Sequence, residues 1–129
     1  MKLTLPRAMT VVRIGVATLI GIHAFSRTLK GTIPDLGVFL HEQGVPFAAA
    51  VAVAITAFEM TATASLVLGR FVPVACAGLI LILSTGIAMV HARDGWFVVG
   101  GGRNGVEYSV LLLVCLVALV FDARRESTA

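Results

Sequence analysis

The chain has 129 residues, 58% of them hydrophobic and 13% charged, with a formal net charge of +3 and a mean hydropathy of +0.99. Soluble domains carry about 25% charged residues, and a chain this small has too much surface to cover with so few. A freely soluble globule is therefore excluded, and lipid is the expected solvent for most of the surface. The positive balance fits contact with anionic lipid heads. It does not point to nucleic acid, because no basic face carries interleaved aromatics.

The composition predicts an all-α membrane protein: one domain over 1–129, built as a four-transmembrane-helix bundle with helices over 8–28, 45–69, 71–91 and 104–122. The first helix contains Arg13, which must lie near a membrane face so that its head can snorkel to water. Lys2 and Arg7 give the start of the chain some likeness to a secretory leader. Arg13 interrupts the apolar run, however, and no small-x-small site follows before His23, so a retained helix is expected.

The stretch HAFSRTLKGTIPDLGVFLHEQGVP follows. Inside it PDLGVFLHEQG reads as a short amphipathic or re-entrant helix that opens at Pro34 and stops at Gly44. Leu36, Phe39 and Leu40 would form its apolar face. The second span ends in LGRF, a connection so short that the second and third helices must form a tight antiparallel hairpin.

After the third span comes HARDGWFVVGGGRNGVEY. Trp96 and Phe97 are placed as interface anchors. GGGRNG matches G-x-G-x-x-G, but no βαβ unit surrounds it, so the glycines read as a turn and not as a dinucleotide site. Asn104 and Glu107 have the spacing of a capping box at the start of the fourth helix. The tail DARRESTA is polar.

The basic residues set the expected topology. Lys2, Arg7, Arg13, Arg70, Arg124 and Arg125 fall on one side, and Arg27, Lys30, Arg93 and Arg103 on the other. That bias puts both termini in the cytoplasm.

Glu59 is the residue that most needs explaining. No charge lies between Val45 and Phe58, and none recurs until Arg70. A carboxylate at mid-membrane costs about 2.5–3.5 kcal/mol on insertion scales, so it must face the bundle interior and find a partner. Arg13 and His23 on the first helix are the candidates, with Thr56, Thr61 and Thr63 as local donors. Two readings stay open: a proton carrier or ligand acceptor, or a polar contact that holds helices together.

A second cluster lies toward the outer face: His23, Arg27, Lys30, His91, Trp96, Glu107 and Tyr108. Two histidines, a phenol and a carboxylate around an apolar pocket suit a quinone carbonyl and proton transfer. The same residues also suit helix caps and interface anchors. Cys76 and Cys115 stand alone in apolar runs, and His23, His41 and His91 lie in different segments, so neither disulfide exchange nor a metal site is expected.

The order of these features resembles the DoxX family of small four-helix membrane proteins. A His-containing helix end runs into a basic residue in HAFSRTLK, and a loop ends in GVP. Glu59 precedes LVLGR, His91 precedes GWF, and a Gly-rich turn leads into a Glu-containing helix in GGGRNGVEY. Ala24 stands where the family usually has glycine, and VFDARR replaces its usual Gly-rich approach to a terminal Ser-Leu-Asp.

The resemblance implies a multi-pass protein of the bacterial inner membrane. Some members are subunits of a thiosulfate:quinone oxidoreductase. The expected function is thus a membrane subunit of a quinone-linked redox system. The ligand contacts are expected among Glu59, His23, His91, Glu107, Tyr108, Arg13, Arg27 and Trp96. The chain has no flavin, haem or iron–sulfur motif, so electrons are expected from a soluble partner. The small residues of AAAVAVA (48–54) and Ala75, Ala77 and Gly78 favour a homo-oligomer. A non-enzymatic scaffold or a small proton-coupled transporter are the alternatives.

Overall fold

The computed structural model describes residues 5–100 and 104–126. Lys2, Gly101, Gly102, Arg103 and the last residues of the tail, which figure in the sequence reading, lie outside the described residues. Five α-helices account for most of the rest: α1 (Leu5–Leu29), α2 (Ile33–Glu42), α3 (Ala48–Leu68), α4 (Val72–Met89) and α5 (Glu107–Glu126). A single 3₁₀ turn, His91–Arg93, follows α4, and there is no strand among the described residues.

Three helices are long and apolar enough to cross a membrane: Arg7–Leu29 within α1, α3 and α4. No more than 28% of any of these spans is buried within the chain. Their outward residues include Val11, Leu19, Ile22, Val53, Val74 and Leu81, a surface that lipid satisfies and water does not. This is compatible with a multi-pass membrane protein. α5 is as long as the others but is charged at both ends by Glu107, Asp122, Arg124 and Arg125. About 20 Å of uncharged helix lies between them.

The four long helices form a closed ring of neighbours: α1 beside α3, α3 beside α4, α4 beside α5, and α5 beside α1. α3 shows how the sequence builds this ring. Its buried residues are Ala48, Ala52, Thr56, Glu59, Ala62 and Leu66, one face at helical spacing. That face is small or polar except for Leu66, and Val53, Met60, Val67 and Leu68 are exposed on the outside of the helix. In lipid the drive for helix association is close packing and not apolar burial, and small residues on this inward face let the helices approach.

At the end where α3 turns into α4, the ring is tightly filled. Val16, Ala17 and Ile20 of α1, Ala62 and Leu66 of α3, Val72, Cys76 and Leu79 of α4, and Leu112, Leu116 and Leu119 of α5 share one core. Beyond Leu79, α4 has no fully buried residue, and the bundle opens there.

The α3–α4 turn is pinned twice. Gly69 takes the left-handed conformation (φ 68°) that a helix end of this type requires. The N–H groups of Gly69 and Arg70 return to the carbonyls of Leu66 and Ser65. The Arg13 guanidinium donates to the carbonyls of Leu66 and Val67. A cation at the negative end of a helix dipole is worth about 1 kcal/mol, so Arg13→Met should lower stability by about that much in a thermal melt and leave ligand binding unchanged.

α2 forms where the sequence punctuation places it, with Pro34 in its first turn and Gly44 (φ 80°) just past its end. It lies against the first two turns of α3. Leu40, Ala48 and Ala52 make a small core with Leu36, Phe39 and Met89 around it. Gly37 sits so near α3 that a Cβ there would lie 3.3 Å from the Ala49 Cα. α2 occupies this place because α1 ends early. Arg27, two residues from the end of α1, is already level with Thr56 and Glu59, in the middle of α3.

α5 starts at Glu107 and not at Asn104. Asn104 is left-handed (φ 59°). The N–H groups of Gly105, Val106 and Glu107 bond to the carbonyls of Phe97, Gly95 and Trp96. The loop 95–97 thus caps α5 in place of a side-chain capping box.

Candidate functional site

Glu59 lies near the middle of α3 and is 8% exposed. Its partner is Arg27, not Arg13: Arg27 Nη1 is 2.8 Å from Glu59 Oε2. The same nitrogen donates to Thr56 Oγ1 at 3.0 Å, and Thr56 in turn donates to the Ala52 carbonyl at 3.0 Å. Thr56 and Glu59 are three residues apart on one helix, so both reach the same guanidinium. The pair brings two charges into the bundle with no net charge, which is how a buried carboxylate becomes tolerable.

Two cavities meet at Glu59. One, of about 410 Å³, is walled by Leu36, Phe39 and Leu40 of α2, Val51 and Ile55 of α3, and Ile82, Thr85 and Met89 of α4. Arg27 and Glu59 are among its few polar residues. The other, of about 260 Å³, is lined by His23, Asn104, Tyr108 and Leu112. Glu59, His91, Leu83 and Ser109 border both cavities. The larger volume is at the small end of the range for small-molecule sites, and the smaller falls just below it. They suit a ring-sized head and a short part of a tail.

His91 is oriented by its neighbour. Its Nδ1 is 2.7 Å from the Asn104 carbonyl oxygen. A carbonyl only accepts, so Nδ1 carries the proton, and in the neutral ring Nε2 is the acceptor. The Asn104 side chain donates to Asp94 at 2.8 Å, which holds the loop that holds His91.

The fold therefore brings together Glu59, Arg27, His23, His91 and Tyr108. It does not bring in the other three predicted residues. Arg13 is at the far end of α1, on the α3–α4 turn. Glu107 accepts the Val98 N–H at 3.0 Å and secures the loop. Trp96 is 54% exposed and serves the site only through its backbone carbonyl, which caps α5.

Ser109 also belongs to the site, though the sequence pattern does not single it out. It is 6% exposed and borders both cavities. Its only signal is a small polar side chain in an apolar helix, two residues after Glu107. Among the described residues no three His, Cys, Asp or Glu side chains gather as a metal site. Cys76 and Cys115 are free thiols. Comparison of the chain with models of known families, with curated proteins and with solved structures finds no match in any of the three.

Proposed function

We propose that the chain is a four-span protein of the bacterial inner membrane, DoxX-like, with both termini in the cytoplasm. In this reading it binds a lipid-soluble ligand of quinone type as the membrane subunit of a redox system. One observation carries the reading: a paired guanidinium and carboxylate at the edge of an apolar cavity inside a hydrophobic bundle. A purely structural ion pair needs no adjoining cavity of ring size. α5 serves as the fourth span, with its charged ends at the two interfaces. Arg27 is drawn into the bundle and so leaves the outer loops, which strengthens the bias of loop cations toward the cytoplasmic side. Electrons come from a soluble partner, since the residues at the site bind, orient and move protons but carry none.

The test is binding to the purified protein in lipid nanodiscs. A short-tailed quinone added at 100 times its Kd should stabilise the fold by about 2.7 kcal/mol, read as a rise in Tm. If neither the oxidised nor the reduced form shifts the melt, and no isoprenoid quinone copurifies, this reading is lost.

A self-associating scaffold is the second reading. Ala50, Ala54, Ala57, Thr61 and Ala64 are all exposed and lie along one outward face of α3. That small-residue stripe lets a second helix approach closely. Cross-linking in native membranes that returns only monomer would remove it.

A further inference from the structure

The hydrogen bonds at the ion pair leave both partners half used. A guanidinium has five N–H donors and a carboxylate two acceptor oxygens. Among the described residues, the Arg27 guanidinium bonds only through Nη1, and the Glu59 carboxylate only through Oε2. Nη2, Nε and Oε1 meet no protein partner, and both residues line the apolar cavity of about 410 Å³. The cavity thus presents unused donors and an unused anionic acceptor within one ion pair, between walls that are mostly aliphatic and aromatic, with Thr85, His91 and Ser109 as the other polar residues.

We propose that this cavity selects a lipid-soluble molecule with a hydroxyl head, and that of a quinone couple it binds the hydroxyl-bearing quinol tighter than the dione. The proposal rests on the ligand-binding reading above and adds the chemical class of the head group. One hydroxyl oxygen accepts from Arg27 and donates to Glu59 at the same time. A carbonyl oxygen accepts from Arg27 but has no proton for Glu59, and its lone pairs then face the carboxylate. An anionic head is disfavoured for a different reason. Arg27 and Glu59 already cancel, so a carboxylate ligand adds a buried charge with no counter-ion. The second cavity shares Glu59, His91 and Ser109 with the first and adds His23 and Tyr108, but Arg27 does not line it, so it lacks the guanidinium donor.

The experiment is a ligand comparison on the unmodified full chain in nanodiscs of zwitterionic lipid, so no variant need fold. Decylubiquinol is compared with decylubiquinone, and 4-nonylphenol with its methyl ether as a pair with no redox change. Oleate is the anionic control. The hydroxyl member of each pair should bind at least about tenfold tighter, the factor that one hydrogen bond to a charged group supplies. Oleate should bind more weakly than either hydroxyl ligand.

Equal affinity within both pairs, or tighter binding of the dione and ether, overturns the hydroxyl preference and leaves the ligand-binding reading standing. Oleate binding as tightly as the quinol overturns it in favour of an anionic head. Binding by none of the five removes both proposals. The Glu59→Gln variant, where it melts cooperatively, should bring the phenol-to-ether ratio close to one. An unchanged ratio there overturns the role given to Glu59.

Discussion

Arg27→Met should destabilise the protein by about 3–5 kcal/mol, the cost of leaving one member of a buried ion pair without its partner. The Glu59 side chain is 10% exposed and that of Arg27 19%, so most of each side chain is shielded from solvent by the packed helices. Glu59→Met should have an effect of similar size, because it strands the guanidinium instead. The double variant Arg27→Met/Glu59→Met should be more stable than either single one, since it removes both desolvated charges and leaves apolar side chains of suitable size. Equilibrium unfolding of the four proteins in one detergent system gives the coupling energy directly. Additive losses would mean that the two side chains do not depend on each other, and the site as described would be wrong. The double variant also separates fold from function: it should fold and lose the preference for hydroxyl heads.

Gly105→Ala should cost about 1–3 kcal/mol, the range for forcing extra volume into a packed site. A Cβ at this position would lie 2.4 Å from the Phe97 carbonyl oxygen and 2.5 Å from the backbone carbonyl of Trp96. Those are main-chain atoms, which cannot swing aside as a side chain can. The loop must shift, and with it the bonds from Gly105, Val106 and Glu107 to Phe97, Gly95 and Trp96. Asn104 is the adjacent residue, so His91 should lose its fixed orientation. The expected result is a lower melting temperature together with faster modification of His91 by diethylpyrocarbonate. A normal melt with unchanged His91 reactivity would show that the loop does not position this ring.

Much of the fold is legible in the sequence because membrane helices announce themselves by uninterrupted apolar length. α3 and α4 are separated only by a short Gly–Arg turn, and a chain that must reverse in so few residues has one way to pack. α2 is legible from Pro34 and Gly44, which mark a beginning and an end whatever surrounds them. Glu59 stands out because a charge in an apolar run carries a cost that something must offset.

Its partner was harder to read. If α1 and α3 were level at both ends, Arg13 would be within reach of Glu59 and Arg27 would lie at the membrane surface. Instead α1 ends halfway along α3, and α2 takes the remaining place, so the helices are offset and Arg27 arrives beside Glu59. The start of α5 is hidden from the sequence for a related reason. Asn104 and Glu107 have the spacing of a capping box, but backbone carbonyls from 95–97 reach the helix end first, and no pattern of side chains records where a distant carbonyl falls.

The sequence by itself determined that the protein is helical, that lipid is the solvent of its long helices, and that one carboxylate must be hidden among them. These follow from local composition, because hydropathy and turn chemistry act over a few neighbouring residues. Only the tertiary structure decided which cation meets that carboxylate, which polar residues border the same cavities, and which serve the loop. Those outcomes depend on the axial offset between α1 and α3, on Arg27 meeting Glu59 across 32 positions, and on loop contacts such as His91 with Asn104, 13 positions apart. Such an offset is set by the packing of whole faces and is not written at any one position.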